Sequence, residues 1–367
     1  MRASLILVLI VAIAGSTEAR RQGRLEIGLA LRHWESSDAS SLDISQTAAP
    51  LRLDLPLGDR FGLSLRANPG RSTLDVAEED LSALGNVVVK TSWYALDQRL
   101  LVRGGVSVPT ASTRLKEDEL PIAALVASDE LGFTMDSPVD GLCATVGVAV
   151  ARQWGGTTLA AGAGYSVRAP FQPYDDAEEE LNPGEELVLT AALYRRISVG
   201  ATPALLKADA AVVLYGSDFW EDEKVRALGP RTDVRSVLAL YPGSFDPVEV
   251  SVWVRLRARG MVSDGDKLVA EDENSFGPEG ALRVRVGHSV APWLKAETSG
   301  FVRFKGDNGY GFGGGHVFGL SVGPKIRLGR GTSLAFSAGV LGGSAWTGTG
   351  DTSLTGYEVR STLVRAW

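Results

Sequence analysis

The stretch Val248-Glu249-Val250-Ser251-Val252-Trp253-Val254-Arg255-Leu256-Arg257-Ala258-Arg259 alternates apolar and polar residues from end to end. Side chains of a strand point to opposite faces in turn. Val248, Val250, Val252, Val254, Leu256 and Ala258 therefore share one face, and the glutamate, serine, tryptophan and arginines share the other. A half-buried strand of a soluble sheet has the same pattern. Repetition separates the two readings. The rhythm recurs about sixteen times along nearly the whole chain, and the connections between its segments alternate short and long.

The segments are 24–34, 51–57, 61–68, 86–96, 100–108, 142–152, 158–168, 187–194, 197–215, 233–241, 248–259, 281–288, 294–304, 317–328, 333–341 and 354–367. The long connections are 35–50, 69–85, 109–141, 169–186, 216–232, 260–280, 305–316 and 342–353. Between them lie short turns such as Gly58-Asp59-Arg60, Asp97-Gln98-Arg99, Arg195-Arg196 and Gly329-Arg330-Gly331-Thr332, with the Gly and Asp chemistry of tight turns. A soluble sandwich has no reason to sort its loops this way. The expectation is all-β: a transmembrane antiparallel up-and-down barrel of about sixteen strands, with short periplasmic turns and long extracellular loops. Fourteen strands stays open, because 197–215 and 233–241 alternate poorly.

Arg2, the apolar run Leu5 to Ala14 and the small or polar Gly15, Ser16 and Thr17 have the three regions of a secretory signal. The expected division is a leader over 1–19 and a barrel over 20–367, with cleavage after Ser16 as the alternative. The apolar run is too short to span a bilayer as a helix. No Cys follows it, which argues against a lipoprotein anchor. These features place the chain in the outer membrane of a Gram-negative bacterium, in contact with lipid and lipopolysaccharide.

Composition agrees with a barrel. Apolar residues make up 44%, yet mean hydropathy is close to zero and no later stretch has the apolar length of a membrane helix. A barrel hides its lipid face in alternate residues. The single cysteine, Cys143, excludes an intramolecular disulfide framework. The net charge of −7 is concentrated in long connections: Glu117 to Glu119, Asp175 to Glu180, Glu221 to Glu223 and Glu271 to Glu273. These are solvated loops or, beside lipopolysaccharide, carboxylates for divalent cations. No basic run with interleaved aromatics indicates nucleic acid.

The candidate site is basic and lumenal. Four consecutive segments carry cations on the polar parity: Arg255, Arg257 and Arg259; Arg283 and Arg285; Arg303 and Lys305; Lys325 and Arg327. Neighbouring strands lie about 4.8 Å apart, so these side chains form one patch. Only Glu249 and Glu297 are acidic on the same faces. Rows of Arg and Lys favour anions in pores, and guanidinium binds carboxylate or phosphate bidentately. Acidic residues of an inward loop are the alternative partners. Trp253 projects among the arginines, placed to stack on Arg255 or on a solute. The wall from 86 to 194 instead presents small residues such as Gly105, Ser107, Gly147, Ala149, Gly162 and Gly164. Trp34, Trp93, Trp154, Trp293 and Trp367 sit at or near strand ends, where indole suits the membrane interface.

Catalysis is not expected. His33, His288 and His316 lack metal-ligand spacing. His288-Ser289 falls at a periplasmic turn, the wrong end for an outer-rim hydrolase. The glycines of 309–315 precede no helix, so no nucleotide loop forms. No cofactor or metal is called for. The longest connection, 109–141, contains the apolar run Ile122 to Val126. It reads as an inward constriction, a short surface helix or a loose surface loop.

The chain ends at Trp367, and Tyr357, Val359 and Leu363 share its parity while Ser361 and Arg365 depart from it. The ending resembles the assembly signal of outer-membrane barrels, which implies the barrel assembly machinery as a partner. The stretch Leu84 to Tyr94, then Leu101 to Val108 with Pro109-Thr110, resembles a local pattern of the outer-membrane barrel family annotated with the meta-pathway of phenol degradation. In that pattern a Gly-Asp strand start ends in aromatics, and an apolar strand then ends in Pro-Thr-Gly. Asn86 replaces the Asp, and Ala111 the last Gly. This resemblance implies a channel for small organic compounds. From the residues, the expected function is passage of small, anionic solutes. The alternatives are a plugged or narrow barrel carrying hydrophobic or aromatic compounds, and a structural barrel whose acidic loops meet other surfaces. A homotrimer stays open.

Overall fold

The computed structural model describes residues 23–36, 43–74, 79–83, 85–110, 114–127, 131–135, 141–175, 179–242, 246–264, 267–311, 313–346 and 351–367. The expected leader 1–19, Ala111 and residues 176–178 lie outside them.

Among the described residues the strands are, in chain order, β1 (Arg24–Ser36), β2 (Asp43–Ala48), β3 (Leu51–Leu57), β4 (Phe61–Ala67), β5 (Gly70–Leu74), β6 (Glu79–Ala83), β7 (Asn86–Ala95) and β8 (Leu100–Pro109). A 3-10 turn (Glu117–Glu119) and an α-helix, α1 (Leu120–Ala127), follow. Then come β9 (Cys143–Trp154), β10 (Thr157–Arg168), β11 (Leu181–Asn182), β12 (Glu186–Val199), β13 (Thr202–Tyr215), β14 (Ser217–Trp220), β15 (Glu223–Ala227) and β16 (Arg231–Leu240). The last are β17 (Val248–Arg257), β18 (Met261–Asp264), β19 (Lys267–Ala270), β20 (Glu279–Ala291), β21 (Leu294–Lys305), β22 (Gly315–Gly329), β23 (Thr332–Trp346) and β24 (Asp351–Ala366).

Sixteen of these form the wall, each antiparallel to the next. The circle closes where β1 pairs with β24, from Arg24 opposite Ala366 to Ser36 opposite Leu354. Beyond it, Gly23 and Trp367 exchange backbone hydrogen bonds of 3.0 and 3.1 Å. Closure leaves no unpaired wall edge, which a sheet in hydrocarbon requires. The outward residues are apolar and open: Val340 is 67% exposed and Leu320 57%. So continuous an apolar band belongs in lipid rather than water. Trp93, Trp154, Trp293 and Trp367 are exposed at the short-turn end, as an interfacial belt requires.

The connections 35–50 and 69–85 are more ordered than loops. β2 continues β3 past Pro50, and β5 continues β4 past Pro69, each break falling where proline supplies no N–H. β6 leads into β7 through Gly85, whose φ is +68° and whose added Cβ would meet Asn68 O at 2.8 Å. β2 pairs with β1 and β5, and β5 with β6, so the wall rises beyond the membrane on this side. On the other side β11, β14, β15, β18 and β19, all from long connections, form a separate five-stranded sheet.

One turn differs from expectation. Arg195 and Arg196 do not reverse the chain; they pair with Leu206 and Leu205, and the turn lies between Val199 and Thr202. Gly200, at φ +60°, supplies the left-handed residue. Two arginines imitate a polar turn in sequence, but the long stems of arginine let such residues end a strand at the membrane interface. At another short turn, Asp246 accepts hydrogen bonds from Lys295 Nζ at 2.5 Å and Ser289 Oγ at 2.7 Å. These two donors, Lys295 foremost, hold its carboxyl below the usual carboxylate range.

Candidate functional site

The strand registers place Arg255, Arg257, Arg283, Arg285, Arg303, Lys305, Lys325 and Arg327 on the lumenal parity of β17, β20, β21 and β22. Arg283 faces Ser251 and Phe301, and Arg303 faces Ala281 and Val317. Arg259 does not join them. It lies past the end of β17, and its Nη1 donates to Asp272 O at 2.8 Å in the following connection. The alternation that marks a strand in sequence runs two residues beyond the last ladder pair here.

The cations fall into two groups. One is locked to carboxylates. Arg255 Nε donates to Asp233 Oδ1 at 2.8 Å, its Nη1 reaches Glu279 Oε2 at 3.2 Å, and Arg231 Nε holds the other Asp233 oxygen at 3.0 Å. Asp233 and Glu279 therefore join Glu249 and Glu297 as acids of this wall. Glu279 starts β20, two residues before the expected segment, and Asp233 sits on the adjacent strand β16. Across the barrel seam, Arg32 Nη2 pairs with Glu358 Oε2 at 2.5 Å, and Arg360 Nη2 approaches the same oxygen at 3.0 Å. Lys325 is more loosely paired, 3.5 Å from Glu297.

The second group is not locked. Among the described residues, Arg283 and Arg285 make no ion pair, and Arg283 lies 5.8 Å from the ring centroid of Phe301. Arg283 sits in the field of Arg303, Arg360 and Arg285, opposed by Glu358. Trp253 stacks under Arg255 at 4.8 Å, as the sequence suggests. Arg257 stands over Phe276 at 4.1 Å and Tyr215 at 5.4 Å.

Within the connection 109–141, α1 and residues 131–135 pack inward. Ile122, Ala123 and Val126 of α1, with Leu131, Phe133 and Met135, pack on lumenal Trp34, Phe301, Val317, Leu341 and Leu354 and on Ile44, Leu74 and Leu81 of the raised wall. Polar bonds fix the segment. Trp34 Nε1 donates to Leu131 O at 3.1 Å and Arg32 Nη1 to the same oxygen at 2.7 Å. Gln46 Oε1 accepts from the backbone N–H groups of Thr134 and Met135 at 2.7 and 2.9 Å. Gly132, at φ +63°, lies where a Cβ would strike guanidinium nitrogens of both Arg303 and Arg32. Trp34 is thus no interface aromatic. It is fully buried and faces inward, because its even number on β1 puts it on the lumenal parity.

The wall from β4 to β10 is not purely small. Gly105, Ser107, Gly147, Ala149, Gly162 and Gly164 do face the lumen, but so do Arg66, Lys90 and Arg103. The parity rule that revealed the first patch also reveals these three. Cys143 is a buried free thiol on the lumenal side.

Two histidine–serine pairs form on the outward parity near the long-loop end: His33 Nδ1 with Ser45 Oγ at 2.9 Å, and His316 Nδ1 with Ser344 Oγ at 3.1 Å. Asp43 also approaches His33 Nδ1, at 3.4 Å. A hydrolytic relay needs nucleophile and carboxylate on opposite ring nitrogens. Here both meet the same one. His288 and Ser289 lie at the short-turn end of β20, where Ser289 is bonded to Asp246.

The closed pairing and the outward apolar band define an outer-membrane-type β-barrel. Solved structures of similar architecture include the outer membrane channel DcaP of Acinetobacter baumannii (12% identity, TM-score 0.45, covering 94% of this chain and 97% of that one). Another is OccK5 of Pseudomonas aeruginosa (8% identity, TM-score 0.41, 94% and 98%). A third is an outer membrane channel of Pseudomonas putida F1 (10% identity, TM-score 0.38, 96% and 98%). No family model and no curated protein matches the chain. The pattern at Leu84 to Thr110 corresponds to the β7–β8 hairpin, whose outer end is latched by Thr110 Oγ1 donating to Gly85 O.

Proposed function

We propose that the mature barrel, residues 20–367, is a channel for small solutes that favours anions, the leader 1–19 having been removed. The observation that carries the reading is the pair Arg283 and Arg285, lumenal and without an ion pair among the described residues, on the same barrel lining where Arg255 and Arg32 are locked to carboxylates. Trp253, Arg257, Arg303 and Lys305 extend this surface toward the long-loop end, and Lys325 and Arg327 toward the short-turn end. Arg255 shapes it rather than meeting solute, since two carboxylates occupy its guanidinium. Tyr357, Val359, Leu363 and Trp367 on one exposed outward face support recognition by the barrel assembly machinery.

The inward segment favours a narrow lumen within this reading. An apolar cluster against Trp34, Val317 and Leu354 takes up the outer mouth beside β1 and β24. Swelling of proteoliposomes in iso-osmotic solutes tests the proposal. Faster entry of a small carboxylate than of a neutral sugar of similar size supports it. Equal entry would leave an unselective pore, and no entry of either through a folded barrel would favour a plugged one.

A further inference from the structure

We propose that Arg257 is the carboxylate-recognising residue of the outer mouth, a planar donor fork set for organic acids rather than for anions at large. The inference rests on the channel reading for access of solute to the lumen, and it adds the substrate class.

The fork is built from β17, β13 and the connection that follows β17. Arg257 ends β17 on the lumenal parity, opposite Arg231 of β16. Tyr215 ends β13, and both guanidinium carbons stand over its ring, at 5.4 Å for Arg257 and 5.9 Å for Arg231. Like charges directly opposite on a sheet repel, and the face of an aromatic ring attracts both. A second ring comes from the connection. Asn274 Nδ2 donates to the Arg257 carbonyl oxygen at 2.7 Å, and the Phe276 N–H donates to Asn274 Oδ1 at 3.2 Å. Phe276 is thereby tied back to the strand end, with its ring centroid 4.1 Å from the Arg257 guanidinium carbon. Contact with two ring faces restricts how the guanidinium can turn.

These surroundings leave its hydrogen-bonding edge open. Arg231 and Arg255 are each 8% exposed and hold the two oxygens of Asp233. Arg255 also holds Glu279, a carboxylate in the field of Arg257. Among the described residues the Arg257 guanidinium itself makes no hydrogen bond and no ion pair, and none of its nitrogens is buried without a partner. They therefore open on the lumen. Stacking on ring faces immobilises a guanidinium without using its five N–H donors. A held plane with two parallel donors matches the two oxygens of a carboxylate. Chloride meets the same fork as a point charge and gains nothing from its shape. The rings beside it are apolar surface, which suits the carbon end of an organic acid better than the hydration shell of inorganic phosphate. The class is therefore a small organic carboxylate.

The test is block of the chloride current through the refolded full barrel by propionate, with inorganic phosphate at matched ionic strength for comparison. The expected result is saturable block by propionate and weaker block by phosphate. Arg257→Lys keeps the charge and loses the fork. It should raise the half-blocking concentration of propionate about tenfold and leave the reversal potential in KCl unchanged. Phe276→Leu keeps the arginine and frees it to turn, and should raise the half-blocking concentration about threefold. Propionate block undiminished in Arg257→Lys, or phosphate that blocks as well as propionate, overturns the assignment. If Arg257→Lys does not fold, Phe276→Leu decides: weakened block upholds the fork, and unchanged block overturns it. If the bilayer is silent, the channel reading fails by itself. Broadening of the propionate NMR signal by the folded barrel in detergent then decides: broadening lost in Arg257→Lys upholds the fork, and no saturable broadening overturns it.

Discussion

Arg32 and Arg283 both stand on lumenal faces of the same barrel, yet their surroundings give them opposite roles. Arg32 is buried against Glu358 and the carbonyl of Leu131, so its charge is spent on holding the seam and the inward segment. Arg283 has neither a carboxylate at ion-pair distance nor a backbone acceptor among the described residues, and three other arginines share its field. Arg255 belongs with Arg32, and Arg285 with Arg283. A basic lumenal residue is thus locked to a carboxylate or left without an ion pair according to the strand beside it, not its own position in the alternation.

The largest effect should come from breaking a brace. Glu358→Gln leaves Arg32 and Arg360 without their shared carboxylate, and loss of one partner of a buried pair costs about 3–5 kcal/mol. The urea midpoint of the barrel in lipid vesicles should fall accordingly, and an unchanged midpoint would remove Arg32 from the locked group. Next comes Gly132→Ala. A left-handed backbone costs a residue with a Cβ about 1–2 kcal/mol, and the methyl group also displaces Arg32 and Arg303. The segment at 131–135 should leave the lumen and raise the conductance, while a closed mouth would show that the latch lies elsewhere. Smallest is Arg259→Ala. Its exposed bond to the Asp272 carbonyl should be worth less than about 0.5 kcal/mol, with selectivity unchanged. A loss of anion preference would return Arg259 to the pore.

Which of these residues were legible beforehand follows from the physics of a barrel. Lipid and lumen impose a strict period of two, so faces such as that of Val248 to Arg257 read directly from sequence. Strand ends do not obey that period, which is why Arg195-Arg196 imitates a turn and Arg259 a pore residue. The locking acids escaped for another reason. Asp233 meets Arg255 through strand pairing, a long-range contact that local alternation does not contain, and Glu279 lay outside the expected strand. Lys90 and Arg103 were visible by parity, but the glycines and alanines of the same wall obscured them. Docking of 131–135 on Trp34 depends on a chain excursion across the mouth, and no local pattern encodes it.

The most direct test of the distinction is the reversal potential of single channels under a KCl gradient, for the unaltered barrel and for the double variant Arg283→Ser, Arg285→Ser. The account predicts anion selectivity that the double variant largely loses while its folding stability stays within about 0.5 kcal/mol. Selectivity for cations, or an anion preference that survives the double variant in a stably folded pore, would contradict it.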